Sequence, residues 1–331
     1  MRFGIVGNRH GHVFGMAKQV AEHPECDLVA VAEDHPPALE ELGKLGDLPS
    51  YSDYHRMLDQ ESLDAIILTT ANDAKADVIA ECIERGVNVL ADKPVLTSLR
   101  GLSSVEDSLR AHGGVVYPWF TMRFNQIFYA ASRTVAEGKV GKVINCFVQN
   151  PHKLRYQNME PWKLHEDLNG GVIVDLGCHS VDLVRWFTGS EVARVTARHS
   201  NLKFPQIDDF KDNGVILLEL RDGSSALLRT DWHSALGAAD FMDYFLSLTA
   251  TGGALEVRDG ADKHVRYATD ESPYVLVDPM APPHDMIQDF VNNVTGEGET
   301  VLTTRDAIEA TRVTLVARQS AIEGRSYAIP S

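Results

Sequence analysis

Through the first 120 residues, short apolar runs alternate with stretches whose apolar residues recur at helical spacing. Arg2–Val6, Asp27–Ala32, a short run near Ser50, Ala65–Thr70, Asn88–Ala91 and Val115–Trp119 read as strands. Between them, Val13–Glu22, Ala38–Lys44, Tyr54–Leu58, Ala74–Arg85 and Leu99–Ala111 read as helices, the fourth of them stopped by Gly86. Ala65–Thr70 is nearly continuous in apolar character, as expected of a parallel strand covered on both faces. Such alternation predicts a doubly wound parallel sheet, with its ligand at the carboxyl ends of the strands.

Beyond Trp119 the period changes. A helix over Asn125–Glu137 leads into runs of alternating polarity at Val140–Gln149, Val192–Asn201, Asn213–Leu220, Ser224–Trp232, Tyr244–Ala250 and Ala254–Arg258. Arg221-Asp222-Gly223 and Thr251-Gly252-Gly253 supply hairpin turns. The pattern predicts a large, mostly antiparallel open sheet with helices on one face, and His284–Val294 and Thr304–Glu323 as closing helices. The expected fold class is α/β: a doubly wound domain over 1–120, then an α+β domain over 121–331, with no low-complexity linker between them.

Composition narrows the partners. A length of 331 residues suits two cores. A net charge of −16, with no basic run to offset it, repels phosphate backbones, so nucleic acid is not an expected partner. No apolar run approaches the roughly 18 residues of a membrane span, and the chain enters a strand at once rather than a basic-then-apolar leader, so a cytoplasmic protein without membrane contact is expected. Cys26, Cys82, Cys146 and Cys178 lack any Cys-x-x-Cys pair and read as free thiols.

The turn Gly7-Asn8-Arg9-His10-Gly11-His12 is where a dinucleotide's diphosphate would meet backbone N–H groups at a helix N-terminus. Against G-x-G-x-x-G, Gly7 is retained, Arg9 and His12 stand at the second and third glycine positions, and Gly11 comes one place early. Arg9 would add a cation beside the phosphates, and His10 and His12 would add hydrogen-bond donors. Glu33-Asp34 ends the second strand; an acid there accepts ribose hydroxyls and repels a 2′-phosphate, so NAD is expected, with NADP left open. Gly7, Glu33, Thr70 and Lys93 all fall at strand carboxyl ends.

In GGVIVDLGCHSVDLVRW, Gly170 to Trp186, a strand-like run ends at Asp175. If the helical period begins there, Asp175, His179 and Asp182 share one face. An imidazole exchanges a proton near neutrality, and a neighbouring carboxylate fixes its tautomer, which makes a general base. A helix N-cap with a solvated histidine and aspartate is the competing reading.

These residues resemble the family of glucose–fructose oxidoreductase, inositol 2-dehydrogenase and the rhizopine-catabolism protein MocA. The likeness runs through GIVG at 4–7, LVAVAED at 28–34, ILTTAND at 67–73, GVNVLADKPV at 86–95, MRFN at 122–125, GKVGKV at 138–143, the stretch at 170–186 and EGRSYAIP at 323–330. Its most specific pieces are Asp92-Lys93-Pro94, which resembles the family's Glu-Lys-Pro, and Asp175-x-x-x-His179. The chain departs from the pattern at Arg9 and His12, in the shorter Asp92, and in Ala71-Asn72-Asp73-Ala74-Lys75 where the family often has Pro-Asn-x-x-His.

The resemblance implies a Rossmann domain, a second domain whose open sheet builds a homodimer or homotetramer, and NAD(P)-dependent chemistry on sugars, polyols or inositols. It also implies roles. Lys93 would hydrogen-bond the reacting oxygen, His179 would be the principal acid/base, and Asp175 would position the imidazole. Asn8, Arg9, His10, Asn72, Asp92 and Pro94 join Gly7, Glu33, Thr70 and Lys93 as the cofactor set. Arg123, His152 and Trp162 are expected at the substrate, since sugar sites combine an aromatic platform with donors. No metal is expected, a site built from His152, His165, Asp175 and His179 being the competing reading. Redox-neutral elimination or glycoside cleavage would use the same fold, and a non-catalytic NAD(P) sensor would use its nucleotide site alone.

Overall fold

The computed structural model describes residues 1–330, the side chain of Asn158 excepted. The chain forms two compact units, one of Met1–Trp119 with His284–Ile308, the other of Phe120–Pro283 with the residues from Glu309 onward.

In the first unit, strands β1 (Arg2–Val6), β2 (Asp27–Ala32), β3 (Ser50–Tyr51), β4 (Ala65–Leu68), β5 (Asn88–Ala91) and β6 (Val116–Pro118) form one sheet in the order β3-β2-β1-β4-β5-β6. Every pairing in it is parallel. All four residues of β4 are fully buried, as its apolar run requires. Strand order reverses between β1 and β4, which opens a crevice at their carboxyl ends. Helices α1 (Val13–Glu22), α2 (Pro36–Leu42), α3 (Tyr54–Gln60), α4 (Lys75–Glu84) and α5 (Leu99–His112) connect the strands.

The boundary expected at residue 120 leaves His284–Ile308 in the second domain, whereas its contacts place it in the first unit. On α10 (Met286–Thr295), the Phe290 ring packs on Phe3 at 5.5 Å and edge-on to Tyr117 at 5.7 Å. Buried Asp289 accepts the Tyr117 hydroxyl at 2.8 Å and the backbone N–H of Leu302 at 3.0 Å. Apolar closure and satisfaction of a buried carboxylate thus both draw this segment to the parallel sheet.

The second unit holds a nine-stranded sheet in the order β14-β13-β12-β11-β7-β10-β9-β8-β15. Its strands are β7 (Val143–Pro151), β8 (Val192–Ser200), β9 (Asn213–Leu220), β10 (Ser225–Asp231), β11 (Tyr244–Ala250), β12 (Gly253–Asp259), β13 (His264–Thr269), β14 (Ser272–Leu276) and β15 (Tyr327–Ala328). Only β7 and β10 run parallel; the other neighbours are antiparallel. Helices α6 (Gln126–Ala136), α8 (Gly171–Asp175) and α9 (Gly177–Thr188) lie against the inner face, where Val148, Ile216, Leu228 and Leu246 are fully buried. The outer face is different: Ile144, Val215, Leu217 and Leu227 are 42–46% exposed. Cross-strand register lines up Leu217, Leu227 and Phe147 in one row of that face.

One element departs from the sequence expectation. Val172–Asp175 is helix α8, not strand. Gly170 and Gly171 take φ of +95° and +73°, which turn the chain into it. Its apolar run is buried on every side, and such a run carries no period that separates strand from helix.

Candidate functional site

The nucleotide-side residues gather on the first unit. Gly7 has φ +89°, and a Cβ there would stand 2.5 Å from the Thr70 backbone nitrogen, so β1 and the end of β4 meet only over glycine. The Arg9 N–H donates to the Thr69 carbonyl at 2.9 Å, tying the turn to the same strand end. Glu33 is buried. Its carboxylate accepts the N–H groups of Asn8 at 2.6 Å and His35 at 2.9 Å, with the Arg9 guanidinium 3.7 Å away. Burial raises this carboxyl above the ordinary glutamate value, against the pull of those N–H groups and Arg9. Asp34, its side chain 85% exposed, is the acid that faces solvent, 3.8 Å from Arg9.

At the end of β5, the Asp92 carboxylate is fully buried and takes three approaches. Its Oδ1 accepts the Lys93 N–H at 2.8 Å and lies 2.8 Å from His12 Nδ1; its Oδ2 lies 3.0 Å from His10 Nδ1. Burial would raise the Asp92 carboxyl, but the two imidazoles and the Lys75 ammonium outweigh it and hold the group far below the carboxylate range. Lys75 Nζ donates to the carbonyls of Asp92 at 2.8 Å and Pro94 at 2.9 Å. The Lys93–Pro94 bond is cis, and Lys93 itself is only 7% exposed. Asn72 is buried, and Thr70 is half-buried at the carboxyl end of β4. Sequence reasoning missed the part played by Lys75; the signal was its place in the register where the resembling family has histidine.

On the second unit, Asp175 ends α8 and His179 sits in the first turn of α9, with Leu176 between the helices in helical geometry. Both side chains are buried, and the Phe120 ring packs edge-on to the His179 imidazole at 5.5 Å. Asp182 is bound instead to Arg123 through two bonds, Nε to Oδ2 at 2.9 Å and Nη2 to Oδ1 at 2.7 Å, with the guanidinium over the Trp186 ring. Arg123, expected at the substrate, is therefore a buried fork that anchors α9 to the MRFN segment.

His152 and Trp162 lie on the same unit. The His152 ring stands edge-on to Trp232 at 5.7 Å and to Phe241 at 5.3 Å. Trp162 is nearly buried, its indole N–H donating to Glu160 at 2.9 Å. Among the described residues, His152, His165, Asp175 and His179 do not make a ligand cluster, whereas His10, His12 and Asp92 do, their ligand atoms lying within 4.8 Å of one another. Among the described residues the four cysteines are buried and not joined in disulfides, and no described helix is long and apolar enough to cross a membrane.

Comparison with known proteins agrees with this architecture. Residues 1–120 match the profile of the oxidoreductase family with an NAD-binding Rossmann fold, and 128–256 match the Gfo/Idh/MocA C-terminal domain. An uncharacterized oxidoreductase of Bacillus subtilis, YrbE, is 26% identical over 84% of this chain and 82% of its own. The myo-inositol 2-dehydrogenase of Thermotoga maritima is 25% identical over 69% of this chain and 66% of its own. The crystal structure of myo-inositol 2-dehydrogenase from Lactobacillus plantarum superposes with a TM-score of 0.80 at 25% identity, covering 100% of this chain and 99% of that one. The first unit is thus an NAD-binding Rossmann domain, and the chain belongs to the Gfo/Idh/MocA family of oxidoreductases.

Proposed function

We propose that this protein transfers hydride reversibly between a nicotinamide cofactor and a CH–OH carbon of a sugar, polyol or inositol. The observation that carries the reading is the setting of Lys93. Its backbone N–H is pinned by a fully buried carboxylate, and its flanking carbonyls are held by a buried lysine, at the carboxyl end of a strand in a nucleotide-binding sheet. A side chain placed with that rigidity is prepared to meet developing charge. The inositol dehydrogenases among the relatives support the substrate class.

The nucleotide turn suits a dinucleotide, since it leads from the carboxyl end of β1 into the N-terminus of α1 and Asp34 offers a solvent-facing carboxylate for ribose hydroxyls. Bound nicotinamide supplies the hydride acceptor. As the C–H hydride leaves the alcohol carbon, His179 takes the hydroxyl proton, and the Lys93 ammonium donates a hydrogen bond to the same oxygen. Asp175 orients the His179 imidazole, while His152 and Trp162 contact the substrate. Arg123 acts through Asp182 as a positioning residue.

The apolar outer row of the nine-stranded sheet supports a further reading, that the protein works as a homodimer or homotetramer through this face. The catalytic reading is tested with purified protein, NAD or NADP, and a panel of inositols, polyols, aldoses and sugar acids followed at the nicotinamide absorbance. Substrate-dependent reduction supports it. Tight cofactor binding with no net reduction by any of these compounds would turn the assignment to redox-neutral chemistry.

A further inference from the structure

We infer that His10, His12 and Asp92 form a binding site for a divalent transition-metal ion of the zinc class. Three observations on the first unit carry this. The ligand atoms come from the nucleotide turn and from the end of β5 and lie within 4.8 Å of one another. The two Nδ1 atoms flank a single carboxylate, 2.8 Å from Oδ1 and 3.0 Å from Oδ2. Most telling is Asp92 Oδ2, a fully buried carboxylate oxygen that accepts no hydrogen bond among the described residues; the His10 approach is close but misaligned.

A buried anionic oxygen without a donor is costly, and a cation is one way to satisfy it. Two imidazoles and one carboxylate suit zinc, cobalt, nickel or iron(II), and three protein ligands leave further coordination positions open. The surroundings allow it. The Lys75 ammonium is directed at the main-chain oxygens of Asp92 and Pro94, and the Lys93 N–H is on Oδ1, so neither occupies Oδ2. His12 is 43% exposed and gives the ion a way in. Binding exchanges the two imidazole–carboxylate contacts for metal bonds: each Nδ1 offers its lone pair, and any proton it carried passes to Nε2 or to water. The ion would need the Nδ1 and carboxylate atoms to separate by only a few tenths of an ångström, within the reach of a half-exposed histidine on a turn.

The site does not depend on the proposed activity, so it is tested without cofactor or substrate. Full-length protein freed of metal with a chelator is titrated with Co2+, followed by its visible absorption, and Zn2+ is then added as competitor. One Co2+ per chain, displaced by Zn2+, is expected. His12→Ala and His10→Ala should weaken binding by at least the roughly 10–100-fold that loss of an outer-shell partner costs, with an unchanged circular dichroism spectrum. These two are preferred to Asp92→Asn, whose buried position also serves the fold. Folded wild type that takes up no Co2+ or Zn2+ at micromolar concentration overturns the inference, as does binding of equal strength in either histidine variant.

Discussion

The ammonium of Lys75, buried without solvent exposure, donates at 2.8 Å to the main-chain carbonyl of Asp92. A second bond to Pro94 makes this one side chain the clamp on the turn that presents Lys93. Lys75→Met would leave two buried carbonyls without their donor and expose the Asp92 carboxylate to less compensating charge. It should destabilise the first unit by about 1–3 kcal/mol. Denaturant unfolding of wild type and variant measures this; equal midpoints would remove Lys75 from the account of the turn.

If Lys93 and His179 act on the reacting oxygen, their loss should appear in turnover and little in cofactor affinity. Lys93→Met and His179→Asn are each expected to lower kcat by about 10²–10⁴-fold, and the double variant by much less than the product. Steady-state kinetics on an identified substrate, with calorimetric NAD titration alongside, separates the two quantities. A His179→Asn variant with near-normal turnover at neutral pH would refute the acid/base role.

Cofactor choice should turn on Asp34 more than on Glu33. Glu33 is committed to backbone N–H groups, while Asp34 faces solvent beside Arg9. Wild type should favour NAD. Asp34→Ser should move the ratio of affinities toward NADP by roughly fivefold, the scale of a solvent-screened charge contact, since the solvent-facing one of the two carboxylates beside Arg9 is then gone. Calorimetry with both cofactors reads the ratio, and an unchanged value would show that this acid does not face the ribose.

A pH effect is expected from Glu166, on the short helix α7 (Glu166–Asn169) that leads into α8. Burial works to raise its carboxyl, but His199 at 3.3 Å and the Arg318 guanidinium at 3.2 Å prevail and hold it below the ordinary value of 4.5. A carboxyl lowered on folding stabilises above its unfolded pKa and loses that contribution as pH falls through the folded one. Wild type should therefore lose stability more steeply than Glu166→Gln does as pH falls below the ordinary glutamate value of 4.5. Parallel unfolding curves for the two across this range would contradict the sign.

Association is predicted to use the row containing Leu217 and Leu227. Light scattering should give a multiple of the 36.5 kDa chain, and Leu217→Asp or Leu227→Asp should shift it toward monomer by placing charge in an apolar interface. A wild type that is monomeric at micromolar concentration would exclude this use of the face.

The order of strands and helices in the first unit was legible because parallel strands covered on both faces give unbroken apolar runs between helical periods. The weak β13 and β14 were not, since an edge hairpin such as His264–Leu276 buries little and so need not alternate cleanly. Helix α8 was hidden for the opposite reason: Val172, Ile173 and Val174 are buried all round, so no polar face marks the turn of the helix. In the site, Lys93, Asp175 and His179 could be named from motifs, but no spacing rule relates His10 and His12 to Asp92, about 80 residues on. The Arg123–Asp182 fork was equally invisible, because no spacing rule pairs two residues 59 positions apart.

The return of His284–Ile308 to the first unit sets a schedule for synthesis. The six parallel strands have all been made once Pro118 is added. Yet Tyr117 then lacks its acceptor Asp289, which lies 172 residues further along, and Phe3 lacks the ring of Phe290. At typical elongation rates of about 5–20 residues per second, that gap lasts roughly 10–35 s. The unit whose strands are translated first is thus completed late, and a nascent nucleotide-binding sheet must persist with Phe3 and Tyr117 uncovered by Phe290 while most of the second unit is still being made.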